Sequence, residues 1–230
     1  MRIRFAILAA AGAMGVASIA AAPAAEVALV ESLTGTPAGL QVMDYLEPGK
    51  LITLGPRDTV VISYMRSCMR ETITGGTVKV GTEESELQGA KVVRIKVPCD
   101  ATRMMVAGDE AGQFGGRIFR SAPPAGPTSA SVSPQFTLYG RAPVVELTAP
   151  GTLSLERIDR DGESYMVEVG SEQLVHGRFF DFAKTDRNLT AGGIYRISEG
   201  KRDIVFKVDP HAKPGNTPIV GRLLRFGSSS

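Results

Sequence analysis

The chain divides its hydrophobic residues into short alternating runs, and turn residues close nearly every run. Residues 91–99, KVVRIKVPC, put Val92, Arg94 and Lys96 on one side of an extended strand and Val93, Ile95 and Val97 on the other. The second side is wholly apolar, and Pro98 ends the run. Residues 152–170, TLSLERIDRDGESYMVEVG, alternate in the same way around Asp161-Gly162, a favoured hairpin pair. Between residues 25 and 120 no stretch keeps a helical period over ten residues, and beyond residue 135 the pattern allows only a short helix around 183–188. Short strands with frequent turns predict an all-β chain.

Residues 121–135, SAPPAGPTSASVSPQ, hold four prolines and almost nothing that could anchor a core, so they read as an extended linker. They divide the chain into two β modules, 25–120 and 136–226, with a disordered tail at 227–230. In the first module Pro56-Arg57-Asp58 is expected to turn, Val60 to Cys68 to run as one strand, and Gly75-Gly76 to make a tight turn or bulge. In the second, Ile194–Ile197 and Ile204–Val208 are expected to pair across Glu199-Gly200.

The first 24 residues read as a signal peptide. Arg2 and Arg4 precede an uncharged stretch from Phe5 to Ile19, and Ala22 and Ala24 form an A-x-A site with cleavage before Ala25. No later segment is long and apolar enough to cross a bilayer as a helix. A periplasmic or secreted location is therefore expected. Removing the leader takes its two arginines from the 26 basic residues and leaves the 24 acidic ones, so the signs balance. A balanced chain offers no general attraction to nucleic acid or to anionic membranes.

An exported chain with two cysteines is expected to pair them, here Cys68 with Cys99. Closing a loop of about 30 residues contributes roughly 3–4 kcal/mol in the chain-entropy model. Two other readings compete. Arg66 and Arg70 flank Cys68 at two positions either side, share its strand face in an extended run, and would favour a thiolate. A nucleophile also needs a base, and the histidines, His176 and His211, both lie beyond the linker. Met65, Met69, Met104 and Met105 with the cysteines resemble a soft-sulfur copper set, but alternation puts Met65 and Met69 opposite Cys68. The acids of 159–163, DRDGE, fit a hairpin turn better than a calcium loop, and EESE at 83–86 reads as a solvated loop. No catalytic, cofactor or metal residue is assigned. Arg66 and Arg70 remain the residues expected to touch an anionic partner.

Two resemblances follow from particular residues. LTAGGIYRI, 189–197, resembles the turn of immunoglobulin-like sandwiches in which a tyrosine hydroxyl ties back onto the backbone. Leu189, Gly193 and Tyr195 carry that tyrosine corner, with one residue more than the usual spacing, and the likeness extends over about 143–208. EPGKLITLGPRDTVVISY…ETITGGTVKVG, within about 46–81, is similar to the small β domain of FecR-like periplasmic proteins. The two resemblances imply a non-catalytic interaction or sensor module of the bacterial cell envelope that binds a protein or a surface polymer. A structural subunit of an envelope assembly, or a thiol redox protein using Cys68, are the alternatives.

Overall fold

A computed structural model describes residues 25–37, 39–101 and 133–226. The expected signal peptide, residues 121–132 of the expected linker, and Met104 and Met105 lie outside the described residues. The described chain is all-β, with no helix of seven residues or more. The expected short helix at 183–188 is instead a single 3-10 turn, Phe182–Lys184, which Asp181 caps by accepting from Ala183 N at 2.9 Å.

The first module is one sheet of β1 (Ala28–Thr34), β2 (Tyr45–Leu46), β3 (Leu51–Tyr64), β4 (Met69–Lys79), β5 (Glu86–Gln88) and β6 (Lys91–Lys96). Its order is β2-β1-β3-β4, and β5 and β6 both pair with β4, at opposite ends. The second module adds β7 (Phe136–Gly140), β8 (Val144–Glu146), β9 (Gly151–Arg157), β10 (Ser164–Val169), β11 (Leu174–Val175), β12 (Phe179–Asp181), β13 (Ile194–Glu199), β14 (Arg202–Lys213) and β15 (Leu223–Arg225). These make two sheets, β10-β9-β13-β14-β7 and β11-β12-β8-β15.

Alternation explains the layers. In the smaller sheet of the second module each strand carries consecutive apolar residues, so both faces are apolar. Val145, Phe180 and Leu224 face the larger sheet, where they meet Leu155, Ile197 and Phe206 in a sandwich core. Their neighbours Val144, Phe179 and Leu223 face the other way, and there they meet Leu29, Met43, Met65 and Val97 of the first module. The 3-10 turn Ile219–Gly221 adds Ile219 and Val220 to this seam. The first module has its own core on its other face, built from Val30, Leu46, Val60, Ile62, Ile73 and Val78. The two modules are thus joined by a third apolar cluster.

Two expectations change, and the structure settles the orientation of β6, which alternation leaves open. The strand expected from Val60 to Cys68 ends at Tyr64, and the chain reverses over 65–68 with Cys68 at φ 52°. Tertiary contacts hold this turn without a glycine. The Ser67 hydroxyl donates to Glu83 O at 2.5 Å, and Lys96 Nζ donates to Ser67 O at 2.5 Å. Pro56-Arg57-Asp58 does not end a strand either. β3 pairs with β4 on both sides of it, through Leu54↔Gly76 and Thr59↔Thr74, so 55–58 bulge out opposite Gly75. Gly75 and Gly76 have φ of 67° and 72°, and a Cβ at Gly76 would sit 2.5 Å from Gln88 O. Finally, the apolar side of β6 faces away from the first module's core. Val92 packs on that core, Val97 enters the seam, and Val93 and Ile95 remain 65% and 47% exposed.

The seam makes the two modules one cooperative body. Phe179→Ala is expected to cost about 3–5 kcal/mol and to lower a single urea transition. Two separate transitions in the parent protein, by fluorescence and circular dichroism, would contradict a shared core.

Candidate functional site

Cys68 and Cys99 form a disulfide, with Cα atoms 5.7 Å apart, that ties the 65–68 turn to the chain just beyond β6. The tied segment is where the second module lands: a Cβ on Gly221 would lie 2.6 Å from Pro98 O, so only glycine permits this approach. Cys99 packs half-buried against the seam. Both sulfurs are therefore committed to a structural bond.

The reversal at 65–68 also separates the two arginines from the shared strand face expected for them. Arg66 stands in the turn with a mostly exposed side chain, 3.8 Å from Glu83. Arg70 lies on β4 and donates from Nε to Glu31 Oε2 at 2.6 Å. Glu31 is the extra residue of a bulge in β1, between Val30↔Ile62 and Ser32↔Val61. The bulge aims its carboxylate across the seam, where Oε1 accepts from Ile219 N at 2.6 Å. Arg70 thus orients a carboxylate that holds the second module. The sequence shows Glu31 only as one more acid in a strand, and no local pattern marks the bulge.

A second polar group closes the seam at its other end. The Tyr45 hydroxyl donates to Glu146 Oε2 at 2.8 Å, and Arg225 Nε donates to the same oxygen at 2.9 Å. Arg225 Nη2 reaches Glu26 at 3.0 Å. The guanidinium groups of Arg178 and Arg225 lie 4.9 and 4.6 Å from the centre of the Tyr45 ring, and Phe179 meets that ring edge-on. Burial, with Glu146 beside it, pushes the Tyr45 hydroxyl far above its ordinary value. It stays a neutral donor throughout the physiological range.

At the far end of the sandwich Leu189 and Tyr195 are buried, and the Tyr195 hydroxyl accepts from Thr190 N at 2.9 Å. The same hydroxyl donates to Glu163. Gly193 leaves room for its neighbours, since a Cβ there would lie 2.6 Å from the Tyr195 ring and 3.1 Å from the Arg157 guanidinium. Arg157 is buried and donates to Asp159 at 2.8 Å and Glu163 at 2.7 Å. Asp159 also accepts from Ile194 N at 3.1 Å. The acids of DRDGE therefore hold an arginine and a tyrosine. Hydrogen bonding from Arg157 lowers the Asp159 carboxyl to about 2. For Glu163, burial works upward, but donors from Tyr195, Thr190 and Arg157 outweigh it and bring the carboxyl to about 2. Burial, with Glu163, raises the Tyr195 hydroxyl to about 12.

The EESE segment is more than a solvated loop. Ser85 is buried, donates from N to both oxygens of the fully buried Glu71 at 3.1 and 3.2 Å, and shares a 2.7 Å hydroxyl contact with Tyr64. Arg94 completes this knot by donating to Glu71 at 2.7 Å. Among the described residues no group of three or more His, Cys, Asp or Glu side chains could hold a metal ion.

Beyond the seam, the outer face of the first module's sheet exposes Ser32, Thr34, Lys91, Val93 and Ile95, while Val61 and Ser63 on the same face are buried. Cross-strand register places Ser32, Val61, Thr72 and Val93 in one row, and Thr34, Thr59, Thr74 and Lys91 in the next. A third row brings Ser63, Arg70 and Ile95 toward the seam. This face is mild in polarity and runs out at β6, beyond which no strand pairs among the described residues. No protein family, curated protein or solved structure matches this chain.

The Arg157 cluster generates a pH dependence with a fixed sign. The two carboxyls titrate near 2 in the folded protein, against 3.8 and 4.5 otherwise. A lowered folded value means stability that is complete above the unfolded value and lost as pH falls toward the folded one. Stability should thus be level above about pH 5 and fall between about pH 4.5 and 2. Arg157→Met should cost about 3 kcal/mol at pH 7 and flatten this acid limb. Urea titrations from pH 2.5 to 7 check both, and an unchanged limb in the variant would place the dependence elsewhere.

Proposed function

We propose that this chain is an exported, non-catalytic interaction or sensor module of the bacterial cell envelope, acting on a protein or surface polymer. The observation that carries the reading is the pair Val93 and Ile95, exposed on a strand at the rim of an open sheet face while their neighbour Val97 is buried. Exposed β-branched residues on an edge strand, whose outer side pairs with no other strand among the described residues, are costly to keep unless they serve a contact. The polar clusters described above hold structure: the sulfurs are bonded, and Glu31, Arg157 and Glu71 are each held in ion pairs.

Export is supported by the leader-like first 24 residues together with the disulfide. The immunoglobulin-like reading of the second module is supported by its two-sheet architecture. A sheet β10-β9-β13-β14-β7 faces β11-β12-β8-β15 in a two-sheet sandwich, although β7 and β15 each join their sheet in parallel, unlike the antiparallel sheets of the immunoglobulin type. Tyr195 stands at the start of β13, and its hydroxyl bonds back to Thr190 N. The FecR-like reading of the first module rests on the turn pattern of residues 46–81. Arg66, with its exposed side chain, is the basic residue of the original pair left available to an anionic partner.

The reading is tested by immobilising the oxidised protein and challenging it with envelope extract. It expects one component to be retained at low ligand density and displaced by free protein. Retention that does not saturate, or that persists on heat-unfolded protein, would remove the support for a specific partner.

A further inference from the structure

We propose that β6 binds its partner by strand addition, and that the partner segment is an extended, acidic strand of another protein. This rests on the interaction reading above and adds the site, the mode and the chemistry. The direction of the backbone groups follows from one hydrogen bond. Val97 N donates to Cys68 O at 3.0 Å, so those two residues form a hydrogen-bonded antiparallel pair. Counting back along the register, Lys91, Val93 and Ile95 turn their main-chain groups to β4. Val92, Arg94 and Lys96 then point theirs outward, where no main-chain partner occurs among the described residues. The six-residue strand has no bulge, and its first proline is Pro98.

Side chains favour the same mode. Relative to an added strand, Val93 and Ile95 would occupy non-hydrogen-bonded positions, where cross-strand Cβ atoms come closest. They continue the apolar line that begins with Val97 in the seam. Charge selects the occupant. Lys91 and Lys96 are exposed at the two ends of the strand, and exposed Arg66 stands in the adjoining turn. Arg94 is already held by Glu71 and Glu84. A second copy pairing through a two-fold centred on Arg94 would set Arg94 against its own counterpart and gather the lysines of both chains on one ribbon. The lysines that guard this edge against self-association are the ones an acidic strand would neutralise.

The test uses the isotope-labelled oxidised protein and two capped heptapeptides, Asp-Val-Glu-Ile-Glu-Val-Asp and Lys-Val-Lys-Ile-Lys-Val-Lys. The acidic peptide should slow amide exchange at Val92, Arg94 and Lys96 by at least about tenfold, with an affinity that falls as salt rises. The lysine peptide should not. Val93→Glu with Ile95→Glu, two exposed substitutions that remove the apolar contact and repel an acidic strand, should abolish the effect while leaving the urea midpoint in place. Absence of protection at those three amides, or equal binding of both peptides, overturns the proposal. So does a concentration-dependent dimer that the double variant loses, because it gives the edge to a second copy. If the double variant still retains the extract component, the interaction reading stands and the edge assignment fails. If the peptide protects the edge but no extract component is retained, the reverse holds.

Discussion

A small sheet with two apolar faces dictates the arrangement of everything else. β8, β12 and β15 each carry adjacent apolar residues: Val144-Val145, Phe179-Phe180 and Leu223-Leu224. In an extended strand neighbours point to opposite sides, so neither face can be left to water. The larger sheet of the sandwich covers one, and the first module covers the other. The second module is therefore not a finished unit by itself. Without the first, Phe179 and its neighbours would form an exposed patch of the kind that drives aggregation. The disulfide and the glycine contact at Pro98 hold the edge of that cover in place.

The buried charges are best understood as alignment, with stabilisation coming from the apolar seam. Arg222 is fully buried, and its side chain reaches Asp181, Asn216, Ala142 O and Thr217 O. Every N–H of its guanidinium has a partner, and Gly140 leaves the room, since a Cβ there would meet Arg222 at 3.1 Å. Such a group gains little over a well-packed apolar one, but stranding any part of it costs about 3–5 kcal/mol. The contact thus penalises every other placement of the loop before β15. Arg157 does the same for the turn of the β9–β10 hairpin, and Glu71 for the loop over β4.

Local signals were the legible part. Asp161-Gly162 turns β9 into β10, Glu199-Gly200 turns β13 into β14, and the cysteines pair, because each depends on nearest neighbours or on compartment. The reversal at 65–68 was hidden because serine and side-chain contacts from distant loops do what glycine usually does. Pro56 looked like a strand end because a proline cannot serve a ladder, yet it sits in a bulge where no ladder bond is required. The placement of Arg70 could not be read at all, since its partner Glu31 lies on another strand and is turned toward it by a bulge.

The orientation of β6 shows where alternation stops being informative. The sequence shows that Val93, Ile95 and Val97 share a side, and that much follows from strand geometry alone. Which side meets a core depends on what lies beyond the sheet. Here the inner position goes to Val92 and to Arg94, because Glu71 is buried on that face and needs a cation. A buried carboxylate without one would cost more than the apolar contact that Val93 or Ile95 could add there. The apolar trio is therefore displaced outward, and the second module covers only its last member. The exposed pair is what the electrostatic requirement of Glu71 leaves at the sheet edge.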